Sequence, residues 1–145
     1  ADARRQHATT LAQGIVSEQA MEALLRNFGS EYGQVMRTGE AIAHIPGTRT
    51  LTSEVEYAVA NEMAVRLDDV VMRRTNLAAG RHPGTAALLA AAEQMARHLG
   101  WSPTRTAEEV RRVEENLEKH YAREPGIESN EHRRSEHPAR QKVFA

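Results

Sequence analysis

From Ser53 to Thr75 the chain reads S-E-V-E-Y-A-V-A-N-E-M-A-V-R-L-D-D-V-V-M-R-R-T, and the periodicity of this stretch limits what the rest can do. At about 100° per residue, Val55, Val59, Met63, Val70 and Leu77 share one face of a helix, which predicts a single long central helix over about residues 53–77. Glu62, Arg66 and Arg73 fall on or beside that same face instead of opposite it. The spacing offers Glu62 with Arg66 and Asp69 with Arg73 as i, i+4 pairs with the acid N-terminal, the favoured orientation. A ladder of ion pairs along a buried face is the simplest expectation, and it names Glu62, Arg66, Asp69, Arg73 and Arg74 as a structural ion network.

Local signals around this segment divide the chain into helices. Ser17 is an N-cap candidate for a helix carrying Met21, Leu24, Leu25 and Phe28 and closed by Gly29. Ser30 opens a second, short helix ending near Gly39. The loop from Glu40 to Thr52 contains the Pro46-Gly47 turn signal, and Ser53 with Glu56 has the spacing of a capping box. The long helix begins with Glu54 and Glu56 and ends with Arg73 and Arg74, as the helix dipole prefers. Gly80, Pro83 and Gly84 break it off. Thr85 is the cap candidate for a helix with Leu88, Leu89, Ala92, Met95, Ala96 and Leu99, stopped by Gly100. Ser102 with Pro103 at the first helical position opens the last helix, to about Ala122, with Val110, Val113, Leu117 and Tyr121 as its stripe. No segment has period-two alternation. The expected fold is all-α, a compact bundle of about five helices, with residues 1–122 forming one domain.

Composition sets outer limits. A chain of 145 residues is long enough to bury roughly 68–70% of its unfolded surface. Only 4% of the residues are aromatic and many of the apolar ones are alanine, so the core should be thin. The lack of cysteine excludes disulfides, thiolate metal sites and cysteine nucleophiles, and permits a reducing cytoplasm. No apolar run approaches the roughly 18–20 residues of a membrane-spanning helix. A formal charge of −1 gives no electrostatic case for a nucleic-acid partner. The chain opens on Ala1, as an excised fragment or a trimmed start would.

The stretch from Ile45-Pro46-Gly47 into the Ser53 helix resembles the C-terminal helical domain of the FAD-dependent (aerobic) glycerol-3-phosphate dehydrogenases, in which a P-G turn leads to a T/A-x-E-V-x-Y-A-V helix. Glu62, Leu67, Asp69 and Arg73-Arg74-Thr75 stand where that family carries E, L, D and R-R-T. Leu99-Gly100-Trp101 matches its later L-G-W, and Asn27-Phe28-Gly29-Ser30 followed by Tyr32 looks like its N-[FY]-G-S segment. The likeness covers roughly Ser17 to Tyr121. It implies a domain of a bacterial flavoprotein of glycerol metabolism that oxidises sn-glycerol 3-phosphate to dihydroxyacetone phosphate. It further implies FAD and substrate held by the preceding N-terminal flavin domain of the same polypeptide, electrons passed to quinone or oxygen, and a cytoplasmic location at the inner face of the membrane.

The residues themselves point away from chemistry on this piece. A dinucleotide site needs a strand, a G-x-G-x-x-G turn and a helix whose N-terminus receives the pyrophosphate, and the sequence has neither that strand nor those glycines. There is no phosphate-binding Walker loop, no G-x-S-x-G elbow and no zinc-spaced ligand set, so the fragment is expected to hold no catalytic residue, no cofactor and no metal. Arg73 and Arg74 could clamp a phosphate, but Asp69 one turn away should occupy a guanidinium. His98, near a helix C-terminus, is read as a dipole partner and Trp101 as the plug of a small core. The alternative function is a free-standing helical protein-interaction module, to be separated from the flavoenzyme reading by the reading frame upstream of Ala1.

The tail from Arg123 to Ala145 differs in kind. It carries five basic and four acidic residues, and almost no apolar side chains precede Val143-Phe144. Such a segment cannot offset its ordering entropy alone, so it is expected to gain order only by docking, on its own domain or in a homo-oligomer, with Phe144 as anchor. His132 and His137 in E-H-R-R-S-E-H lack the HExxH spacing and read as part of a solvated tail.

Overall fold

A computed structural model of the chain describes Gly14, residues 16–39 and residues 42–122. The tail from Arg123 onward, with His132, His137, Val143 and Phe144, lies outside the described residues, as does most of the lead segment. The described residues are all-α: helices α1 (Glu18–Phe28), α2 (Tyr32–Arg37), α3 (Thr52–Asn61), α4 (Leu67–Asp69), α5 (Thr85–Leu99) and α6 (Pro103–Ala122). The one extended pairing among them is a single antiparallel bridge between His44 and Leu51.

Several helix ends follow their local chemistry. Ser17 caps α1 by accepting the Ala20 N–H at 3.2 Å, and Gly29 closes it at φ 53°. Ser102 accepts the Arg105 N–H at 3.1 Å, with Pro103 as the first residue of α6. Across Pro46-Gly47 the Thr48 N–H returns to the Ile45 carbonyl at 3.0 Å with Gly47 at φ 69°, as a type II turn requires.

Helix α3 is the centre of the molecule. Its residues Ser53 to Ala58 are all buried, because two apolar layers use opposite sides of it. Val55 and Ala58 join the larger core with Leu67, Val70, Leu88, Met95, Val113 and Leu117. Leu51 and Tyr57 join the smaller one with Met21, Leu24, Tyr32 and Val35. Each fully buried Leu or Met in these layers contributes roughly 1.5–3 kcal/mol.

The predicted long helix over 53–77 is interrupted. Helix α3 ends at Asn61, Met63 takes a left-handed φ of 59°, Arg66 is extended at φ −133°, and α4 begins at Leu67. The Glu62 and Ala64 N–H groups both return to the Ala58 carbonyl, at 3.2 and 3.0 Å, and close the end. Phase explains the break: in a continuous helix Leu67 and Val71 would lie about 120° and 160° round from Val55, off the apolar stripe. The turn at 62–66 re-phases the chain, and Leu67, Val70 and Val71 are all at 0% exposure. Met63, expected on the buried face, is instead 85% exposed. Its left-handed backbone costs roughly 1–2 kcal/mol that a glycine would avoid.

Two expected caps are also displaced. Helix α3 begins one residue before Ser53, and the Leu51 N–H donates to Glu54 Oε2 at 2.6 Å. The pairing of strand-like residues 43–45 with 50–52 sets this start: the Thr52 N–H donates to the Ala43 carbonyl at 2.8 Å and the Ile45 N–H to the Thr50 carbonyl at 2.8 Å. Ser53 and Glu56 are therefore buried inside the helix rather than capping it. Thr85 is the first residue of α5, after Gly84 at φ 93°, and its hydroxyl donates to Glu114 on α6 at 2.9 Å.

Candidate functional site

The charged corner that the sequence singles out is built on α4 and the turn after it. Helix α4 continues as a π-helical turn, Val70–Arg74, which the Thr75 N–H and hydroxyl close onto the Val70 carbonyl at 3.0 and 2.8 Å. The wider turn brings the residue five positions on, as well as the one four on, over Asp69. Arg74 Nε donates to Asp69 Oδ2 at 3.2 Å, and Arg73 Nη1 stands 3.8 Å from Asp69 Oδ1. Arg74 Nη1 also stands 3.8 Å from Glu62 Oε2. Arg66 faces Asp68 at 3.6 Å in place of the expected Glu62. The break between Glu62 and Arg66 removes the helical geometry that an i, i+4 pair needs.

This network borders water instead of running along a buried face, since the Arg73 side chain is 79% exposed and that of Arg74 39%. A cleft of about 370 Å³ beside it is lined by Asn27, Phe28, Glu31, Glu62, Arg73 and Arg74, among others. Glu31 accepts the Tyr57 hydroxyl at 3.2 Å. Burial first, then that hydrogen bond and the charges of Glu31 and Glu62, push the Tyr57 phenol above its ordinary range. Glu31, Glu62 and Asp69 outnumber Arg73 and Arg74 around this corner. It therefore has no excess positive charge with which to grip a phosphate.

Sequence reasoning missed the buried carboxylates, each of which has a helix end or a second side chain to serve. Glu109 of α6, 1% exposed, accepts the Leu67 N–H at 3.0 Å and so caps α4 from another helix. Its other oxygen takes Arg105 Nη2 at 2.8 Å, with Arg112 Nη1 at 3.7 Å. Glu56 accepts the Gln94 side-chain amide and faces His98 Nε2 at 3.5 Å, so His98 addresses a carboxylate more directly than a helix dipole. Gly39 lies over this carboxylate at φ 92°, where any Cβ would overlap the Glu56 oxygens. Burial pushes the Glu54 carboxyl up to about 7, against the opposing Leu51 N–H bond. Glu109 had a legible signal in its i, i+4 and i, i+3 spacings to Arg105 and Arg112, and Glu54 and Glu56 were legible as first-turn acids; their burial and the reach of Glu109 to Leu67 were not.

Trp101 packs against the larger core, and Arg105 stacks over its ring at 5.8 Å. Among the described residues, no group of three or more His, Asp or Glu side chains could hold a metal. Among the described residues no strand leads into a helix N-terminus, the arrangement a dinucleotide pyrophosphate site uses. No helix among them is long and apolar enough to cross a membrane.

A family model described as the C-terminal domain of alpha-glycerophosphate oxidase matches residues 1–106. The match takes in the lead segment before Ser17 and ends inside α6. No curated protein and no solved structure matches the chain.

Proposed function

The chain belongs to the family of alpha-glycerophosphate oxidase C-terminal domains, and on that premise we propose that it is the structural and contact domain of a flavoenzyme that oxidises sn-glycerol 3-phosphate to dihydroxyacetone phosphate. Membership of a C-terminal family supports the reading that a flavin oxidoreductase portion precedes it in the same polypeptide. In this reading FAD and substrate are held there, and the flavin supplies the two-electron acceptor for the oxidation. The present residues contribute packing and a contact surface, and none of them is a catalytic residue. We place the end of the domain near Ala122, because Leu117 is fully buried and the Tyr121 hydroxyl still donates to the Ala78 carbonyl at 2.7 Å.

The observation that carries the reading is the family match over residues 1–106. The geometry agrees with a non-catalytic role, since the Arg73-Arg74 pair is already engaged by Asp69 and Glu62. The flavin-bearing portion would find apolar surface at the helix break, where Met63 and Val65 are 85% and 59% exposed.

The test compares this chain with a polypeptide that also carries the preceding flavin portion. The longer protein should hold flavin and reduce an artificial electron acceptor in the presence of glycerol 3-phosphate. The 145-residue chain should show neither property. A flavin absorption band on the purified chain that survives dialysis, or a longer protein inert toward glycerol 3-phosphate, would overturn the proposal.

A further inference from the structure

A larger cleft, of about 940 Å³, opens where α1 meets the Pro46-Gly47 turn and the loop before α5. Its walls carry Arg26 from the last turn of α1, Arg49 from the turn, and Arg81 with His82 from the loop. Three arginines from three separated stretches of chain thus line one concavity. Arg66, Arg73, Arg74, Arg105, Arg111 and Arg112 each have a carboxylate within 4.0 Å. Among the described residues, no such partner stands near Arg26, Arg49 or Arg81.

The cleft's other groups favour an anion as well. His82 Nδ1 accepts the Gly84 N–H at 2.9 Å, which places the ring proton on Nε2 and makes that nitrogen a donor. Asn27 and Asn76 add neutral side-chain donors along the lining. The one acid among the described lining residues is Glu54, which is 4% exposed and already accepts the Leu51 N–H. Burial pushes its carboxyl up to about 7, so that at neutral pH it opposes the arginines with less than a full charge.

The backbone that presents Arg49 is held firmly. The Thr48 hydroxyl donates to the Ile45 carbonyl at 2.9 Å, and the Thr50 N–H donates to the Thr48 hydroxyl at 3.2 Å. A guanidinium on such a support presents a planar fork of donors that matches two phosphate oxygens at once. A monoanionic carboxylate would satisfy one fork, whereas a phosphate dianion has oxygens for several. The volume exceeds what a bare ion needs and suits a drug-sized or headgroup-sized molecule.

We propose that Arg26, Arg49 and Arg81 form a binding site for a phosphate-bearing ligand, a soluble phosphate ester or a phospholipid headgroup. The site stands independently of the flavoenzyme reading, and its failure would leave that reading untouched.

The experiment titrates inorganic phosphate and pyrophosphate into the 145-residue chain at low ionic strength, with heat or amide chemical shifts as the readout. A parallel arm sediments the chain with phosphatidylcholine vesicles that contain or lack phosphatidic acid. We expect saturable binding, tighter for pyrophosphate than for phosphate. Arg26→Gln, Arg49→Gln and Arg81→Gln should each weaken it about tenfold, as loss of one charge-assisted hydrogen bond implies, and Arg49→Lys should weaken it less. Binding to phosphatidic acid vesicles with the same arginine dependence, but not to soluble phosphate, would assign the site to headgroups. Binding to neither, full displacement by chloride at equal ionic strength, or Gln variants that bind as well as the parent would overturn the proposal. All three arginines are exposed, so these substitutions leave both cores untouched.

Discussion

Glu109→Ala should be among the most damaging single substitutions in the domain, and the reason is a hydrogen bond rather than a salt bridge. The carboxylate is 1% exposed, and one oxygen receives the Leu67 N–H at 3.0 Å, the first free donor of α4. Its other oxygen is 2.8 Å from Arg105 and 3.7 Å from Arg112, whose side chains are 43% and 42% exposed. Removing a charged acceptor from a buried N–H costs about 1.5–3 kcal/mol, and the vacated space adds a cavity term. The two guanidiniums can turn to water, so the loss should fall at the low end of the range for a broken buried pair, about 3 kcal/mol. Glu109→Gln separates the contributions. The amide has the same shape and keeps a carbonyl oxygen for Leu67, while losing only attraction to half-exposed arginines, so it should cost about 1 kcal/mol. Urea unfolding followed by helical circular dichroism measures both. The alanine variant should shift the midpoint down by more than about 1 M at an unchanged slope. If the two variants lose stability equally, the cap is not what Glu109 contributes and the reasoning fails.

Three further substitutions probe other parts of the fold. Because burial holds Glu54 near 7 when folded, against an ordinary 4.5, the folded chain binds the extra proton, and stability should fall as pH rises from about 4.5 to about 7 and then level off. Glu54→Gln keeps an acceptor for Leu51 and should flatten that slope, with stability gained at pH 8 and little change at pH 4; an unaltered pH profile would show that Glu54 ionises freely. Met63→Gly should raise stability by about 0.5–1 kcal/mol, because relief of the left-handed backbone exceeds the added entropy of an unfolded glycine and an 85% exposed side chain loses no packing; a lower thermal midpoint would refute it. Asp69→Ala should cost about 1 kcal/mol, since the arginines it holds reach water; a loss above about 3 kcal/mol in denaturant unfolding would mean that the network is buried after all.

The helices themselves, their stripes and several of their ends were legible in the residues. Ser17, Gly29, Pro46-Gly47 and Ser102-Pro103 act through bonds that reach no more than a few positions along the chain, so their chemistry is the same wherever the helices pack. The family likeness drew on the same strings of residues. The break inside the 53–77 segment was not legible, because every residue in it accepts a helical backbone. Only the packed cores decide that Leu67 and Val71 must turn inward, and only Glu109, far off on α6, supplies the acceptor that lets α4 start afresh at Leu67. The break in turn sends Arg66 to Asp68 instead of Glu62, whereas the predicted pair of Asp69 with Arg73 is kept and the π turn adds Arg74 to it. The displaced start of α3 has the same origin, since the backbone pairing of 43–45 with 50–52 fixes where the helix begins. Short-range hydrogen bonding and periodicity set which segments are helical, whereas burial of particular side chains against distant partners set where those helices stop and which charges meet.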